Sequence, residues 1–140
     1  MEARRQEQIA RENERRANMN AVEAKRQEAL TSAQLSQGKL QHLVMVKFKP
    51  NTPQSSIEKF TNNFRSLKGS IPFVLSFEHG INNSPENLNR GLTHLYKVTF
   101  KNEKDRDDYL VHAEHKKFVK MVEELGAVEE VFVFDYNPDQ

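Results

Sequence analysis

The chain has 140 residues, enough for one domain of ordinary size, and its 21 basic against 20 acidic side chains leave a net charge of +1. That balance gives no global field that would recruit nucleic acid or an anionic membrane. The absence of cysteine excludes disulfides, thiolate zinc sites and thiol nucleophiles together. No apolar run approaches the ~20 residues of a membrane span, and the amino end has no apolar signal core, so the expectation is a soluble, cytoplasmic protein.

Two compositions are joined. Residues 1–39 carry eight basic and six acidic side chains with no aromatic residue and no proline, while all histidines, phenylalanines and tyrosines lie further on. Ala, Glu, Arg and Gln favour helix, and pairs such as Glu7 with Arg11 and Glu12 with Arg16 add a few tenths of a kcal/mol each at helical spacing. Ile9, Met19, Val22, Leu30 and Leu35 are too sparse for a heptad seam. Residues 1–39 therefore read as a charged helical or partly disordered arm, ending near Ser36-Gln37-Gly38, and residues 40–138 as the domain.

Leu40 to Lys49 alternates as a strand, with His42, Val44, Val46 and Phe48 on one face and apolar Leu43 and Met45 on the other. Pro50-Asn51-Thr52-Pro53 breaks it, with Thr52 expected as N-cap and Pro53 at the first helical position. Ile57, Phe60, Phe64 and Leu67 then recur at helical spacing, and Gly69 is the expected stop. A second strand is predicted over 73–79 and a polar loop over 80–91. A third strand over 92–100 has His94, Tyr96, Val98 and Phe100 on a common face. Helical sequence resumes near Glu103, runs through Tyr109 to His115 and restarts at Lys116 to Leu125, where Gly126 ends it. Glu129 to Tyr136 is the last strand, with Val131 and Val133 opposing Phe132, Phe134 and Tyr136.

Strand, helix, strand, strand, helix, strand is the split βαβ order of an α+β, ferredoxin-like βαββαβ unit: four antiparallel strands with helices on one face. The first and last strands are apolar on both faces, so the uncovered face calls for a second copy, sheet against sheet.

The chemistry concentrates in Tyr109-Leu110-Val111-His112-Ala113-Glu114-His115. At helical spacing Leu110 and Val111 can point inward, while Tyr109, His112 and His115 present their polar tips to a common point. Imidazole moves protons near neutral pH, and a tyrosine beside it can donate to a developing oxyanion. The alternative at this stage is a core tyrosine with surface or capping histidines. His112 and His115 lack a third ligand of clear geometry, so no metal site is expected. Nothing specifies a haem ligand or any other cofactor. The clusters Lys101 to Asp108 and Glu123 to Glu130 read as exposed faces, and Asp135 as a pairing or capping residue.

Residues 41–138 resemble the stress-responsive A/B barrel domain family of the dimeric α+β barrel superfamily. The likeness is carried by His42-Leu43-Val44-Met45-Val46-Lys47-Phe48-Lys49, Gly80, Val98-Thr99-Phe100, the Tyr-x-x-His-x-x-His pattern of Tyr109 to His115, and Phe134-Asp135-Tyr136-Asn137-Pro138. Ala113 departs from it, since the family usually has proline there. The resemblance implies a homodimer formed through the sheet faces, with a cavity between each sheet and its own helices. Catalytic members, plant polyketide cyclases, promote an aldol condensation with a tyrosine and a histidine of the signature, which correspond here to Tyr109 and His115. Two wall histidines correspond to His42 and His94. With strand parity and the helical stripe, the expected ligand-lining set is His42, His94, Val44, Val46, Phe60, Phe64 and Tyr96. Two functions follow as expectations: binding of a small hydrophobic or aromatic ligand, or a cofactor-independent polyketide cyclase-like lyase.

Overall fold

The computed structural model describes the backbone of residues 2–36 and 38–139, and the side chains of residues 3–24 and 38–139. Gln37, at the expected end of the arm, lies outside the described residues, as do the side chains of Leu30 and Leu35. Two compact units divide between residues 37 and 38. The first is one helix, α1 (Glu2–Ser36), exposed wherever its side chains are described, with Arg11 Nη2 3.3 Å from Glu7 Oε1 as i,i+4 spacing predicts. Among the described residues no helix is long and apolar enough to cross a membrane.

The second unit runs β1 (Leu40–Phe48), α2 (Gln54–Ser70), β2 (Ser76–Ile81), β3 (His94–Phe100), α3 (Glu103–Leu110), α4 (Ala113–Leu125) and β4 (Val128–Tyr136). The strands form one antiparallel sheet in the order β2-β3-β1-β4, the expected ferredoxin-like arrangement. β1 is central, pairing His42 with Val98 on one side and Asp135 on the other. Strand parity then assigns the faces. His42, Val44 and Val46 are buried on the helix-covered face with Tyr96, Val98 and Phe100, and Phe60, Phe64 and Leu67 of α2 close over them. Burying each such large apolar side chain contributes roughly 1.5–3 kcal/mol. On the opposite face, Phe132, Phe134 and Tyr136 remain 51%, 60% and 40% exposed beside Leu43, Met45 and Leu95.

Several boundaries differ from expectation, each for a local reason. Pro53, not Thr52, occupies the N-cap of α2 without a side-chain cap, because the Thr52 hydroxyl donates to the Lys49 carbonyl (2.6 Å) and closes the preceding turn. α2 passes through Gly69 and ends at Ser70. Its C-cap Ile71 turns extended with its side chain fully buried, and its amide donates to the Leu67 carbonyl at 2.8 Å, so no left-handed glycine is needed. β2 starts at Ser76 rather than residue 73, since the Val74 amide is spent on a turn to Ile71 (3.2 Å). β3 starts at His94 rather than residue 92, after a turn in which the Leu92 amide donates to the Asn89 carbonyl.

The largest difference lies in the signature stretch. Its helix breaks at Val111-His112, and Val111, 65% exposed, does not point inward as expected, while Leu110 is 40% exposed. α3 has only two turns, and Tyr109 takes its one fully buried position. The break needs no proline, so Ala113 is accommodated. His112 adopts φ −67°, ψ 141°, and its Nδ1 accepts from the Glu114 amide at 3.1 Å, capping α4. Gly126 ends α4 in the left-handed region at φ 63°, as expected.

The two helix-end glycines therefore respond oppositely to alanine. A Cβ at either position meets nothing within 4 Å, so backbone conformation alone decides the sign. Gly126→Ala is expected to lower unfolding free energy by about 1–2 kcal/mol, whereas Gly69→Ala in helical backbone should raise it by about 0.5 kcal/mol. Urea unfolding of the two variants checks both signs.

Candidate active site

The site forms where α2, α3, α4 and the β1–β4 half of the sheet meet around a cavity of about 510 Å³. The central strand supplies His42. Its ring Nδ1 lies 2.7 Å from Oδ1 of Asp135, the cross-strand neighbour on β4. The other carboxylate oxygen of Asp135 accepts from Arg106 Nη1 (3.1 Å), and Arg106 Nε donates to Asp107 Oδ1 at 3.0 Å. One turn beyond Arg106, α3 aims Tyr109 inward, with its ring 4.8 Å from Phe100, 6.1 Å from His42 and 4.5 Å from His115. The wall between these polar groups is aliphatic and aromatic: Val44, Val46, Phe60, Phe64, Val131 and Val133.

Hydrogen-bond partners fix the tautomers. A carbonyl can only accept, so His115 Nδ1, 3.1 Å from the Leu110 carbonyl, carries the proton and leaves Nε2 with a lone pair. The same reasoning protonates His42 Nδ1 against Asp135, whereas His112 Nδ1 accepts and so carries its proton on Nε2. Burial is the main cause that pushes His115 below the ordinary imidazole range, partly offset by the Leu110 carbonyl and reinforced by nearby His42. Burial also drives Tyr109 far above the usual phenol range. Its hydroxyl, fully buried, has no hydrogen-bond partner among the described residues. The site thus holds a neutral base beside a phenol that stays protonated and has a hydrogen to donate.

Of the side chains expected in the lining, the structure brings together Tyr109, His115, His42, Val44, Val46, Phe60 and Phe64. His94 and Tyr96 are not brought to this cavity. Phe60 stacks edge-on against Phe48 (5.4 Å), which packs against His94 (4.9 Å), so an aromatic wall stands between. Behind it His94 stacks on His79 (5.4 Å), and Tyr96 bonds Thr61 Oγ1 at 2.7 Å. His112 serves as a helix cap rather than joining Tyr109 and His115. Sequence reasoning missed Arg106, submerged in a charge cluster, and undervalued Asp135. The available signals were the i,i+3 spacing of Arg106 to Tyr109 and the parity of Asp135 with Val131 and Val133. Among the described residues no cluster of three or more His, Cys, Asp or Glu could hold a metal ion.

A four-stranded sheet with a one-sided helical layer and a Tyr-His pocket under its edge defines the class: a ferredoxin-like α+β domain. The stress responsive A/B barrel domain family matches residues 40–138, and the chain belongs to it. It is 29% identical over 103 residues to the stress-response A/B barrel domain-containing protein HS1 of Arabidopsis thaliana, covering 74% of this chain and 93% of that protein. Olivetolic acid cyclase of Cannabis sativa is 28% identical over 99 residues, covering 71% of this chain and 96% of the cyclase. Among solved structures, that of At3g17210 from Arabidopsis thaliana superposes with a TM-score of 0.67 at 29% identity, covering 72% of this chain and 96% of that one.

Two measurements test this site. Nitrogen-detected NMR should find His42 and His115 protonated on Nδ1 and His112 on Nε2; the opposite tautomer at His115 would remove its lone pair from the assigned atom. The second concerns acid stability. His115, His79 and His94 all titrate below their ordinary value of 6.5 in the fold, chiefly because of burial. The unfolded chain therefore takes up protons first, so the stability present above about pH 6.5 is lost as pH falls through the folded-state values. Thermal melts should show a lower midpoint at pH about 5.5 than at about 7.5, and His115→Gln should reduce that difference.

Proposed function

We propose that the chain works as a homodimer in which each cavity binds a small hydrophobic or aromatic ligand, held by Tyr109 and His115 and flanked by His42. The observation that carries this reading is the buried Tyr109 hydroxyl beside an apolar cavity. Leaving such a group unmatched costs about 1–3 kcal/mol, and a ligand oxygen would satisfy it. Binding of an aromatic ketone, followed by calorimetry, should weaken roughly tenfold in Tyr109→Phe; equal affinity would remove the hydroxyl from recognition.

A second reading is favoured by the adjacency of a neutral histidine base and a protonated phenol. In a polyketide cyclase-like lyase, His115 Nε2 would take the proton α to a carbonyl and Tyr109 would hold the resulting enolate oxygen. The enolate carbon then bonds to a second carbonyl of the same chain, and the proton passes to the new alkoxide. This chemistry needs only a base and an oxyanion donor. His115→Ala should abolish cyclisation of a poly-β-ketone thioester, and Tyr109→Phe should slow it by about 10²–10³. A retained rate in His115→Ala removes the assigned base.

Support for the homodimer comes from the open sheet face. Leu43, Met45, Leu95, Phe132, Phe134 and Tyr136 are neighbours on one exposed sheet face, and a contiguous apolar face of this kind marks an association site. The domain is assigned to residues 40–138 and the arm to 1–39, with the dimer carried by the domain alone. Sedimentation should therefore give dimer mass both for the full chain and for residues 38–140, and monomer mass for Phe132→Glu/Phe134→Glu. A full chain that stays monomeric at micromolar concentration overturns the proposal.

A further inference from the structure

Charge around the cavity restricts what can enter it. Four formally charged side chains line the site: Arg106, Asp107, Glu123 and Asp135. The one guanidinium is committed to two of the three carboxylates, through Nε to Asp107 (3.0 Å) and Nη1 to Asp135 (3.1 Å). Glu123 forms no ion pair among the described residues. His42 already faces the Asp135 carboxylate at 2.7 Å, so a charge on that ring would be matched inside the protein. His115, held below its usual value by burial, offers no cation at neutral pH. The amino end of α4, whose peptide dipoles would otherwise favour an anion near His115, is answered by Glu114 in its first turn and by the His112 cap.

We infer that this cavity takes uncharged carbonyl compounds (ketones, esters or thioesters with an apolar body) and excludes their carboxylate counterparts. The inference rests on the reading of the cavity as a ligand site. A carboxylate entering here would shed its water, find no uncommitted cation and face an excess of like charge. A neutral carbonyl has little to lose on desolvation and gains the Tyr109 hydroxyl as donor. The same asymmetry suits an enolate chemistry, because a ligand without a fixed charge leaves the developing oxyanion as the only anion Tyr109 has to serve.

The test uses two isosteric probes, phenylbutyl methyl ketone and phenylpentanoate, titrated into the full chain at neutral pH and low salt. The ketone should bind at least about tenfold more tightly than the carboxylate. In Glu123→Gln, which leaves the Arg106 ion pairs in place, the gap should narrow by roughly twofold through gained carboxylate affinity, a small change because this acid is exposed and partly screened. Carboxylate binding equal to or tighter than the ketone overturns the charge exclusion and leaves the ligand site standing. A gap that persists undiminished in Glu123→Gln overturns the role given to that acid. Binding of neither probe overturns the ligand reading and this inference together.

Discussion

Three helices cannot cover four strands, and the shortfall falls on β4. α2 lies over β2 and β3 with Phe60, Phe64 and Leu67 buried, and α4 packs beside it, leaving the edge strand's valines half exposed. Val131 and Val133 belong to the helix-covered face by register, opposite Val46 and Val44, yet remain 53% and 58% exposed. Close packing elsewhere makes that gap a cavity rather than a loose core. The same one-sided layering leaves Phe132 and Phe134 of this strand unpartnered on the other face. Cavity and open apolar face are two consequences of one mismatch between helix cover and sheet width.

What holds the gap open to a fixed shape is polar. The Asp135 carboxylate links the edge strand to the central one through His42 and to α3 through Arg106, so three elements converge on one side chain. Such a partly buried network contributes little net stability once desolvation is counted. Its value lies in direction, because Asp135 is held between His42 and Arg106, and Arg106 between Asp135 and Asp107. With Arg106 pinned, Tyr109 three residues on is aimed at the cavity. The His115 ring is oriented separately, by the Leu110 carbonyl at the broken end of α3.

The order of elements, the sheet faces and the aromatic helix stripe were all legible in the sequence, because period two and period 3.6 are imposed by backbone geometry. Val44, Val46, Phe60 and Phe64 could be assigned to the cavity side from that alone. Parity failed for His94 and Tyr96 because it assigns a face and not a position along the strand. Both point to the helix side, but at a distance where Phe48 and Phe60 have already filled the layer. Parity would have favoured Asp135, which alternates with valines on the buried side. The inward placement of Val111 failed for a different reason: a continuous helix was assumed, and His112 can cap a new one only by interrupting the old. No propensity of a single residue announces that. It follows from Tyr109 already holding the one inward place on a two-turn helix.

The break also decides which groups can exchange protons. On an uninterrupted helix His112 would sit between Tyr109 and His115 with its Nδ1 free, and the site would hold two competing bases. As folded, that nitrogen is spent on the Glu114 amide, and His115 alone follows Tyr109 into the cavity. Burial then separates the pair by acting in opposite directions on opposite charge types: it disfavours imidazolium at His115 and phenolate at Tyr109. Both groups are driven to their neutral forms, and those are the forms that accept and donate a proton. Two titratable neighbours pushed apart in this way have their roles assigned by environment, with histidine the acceptor and tyrosine the donor.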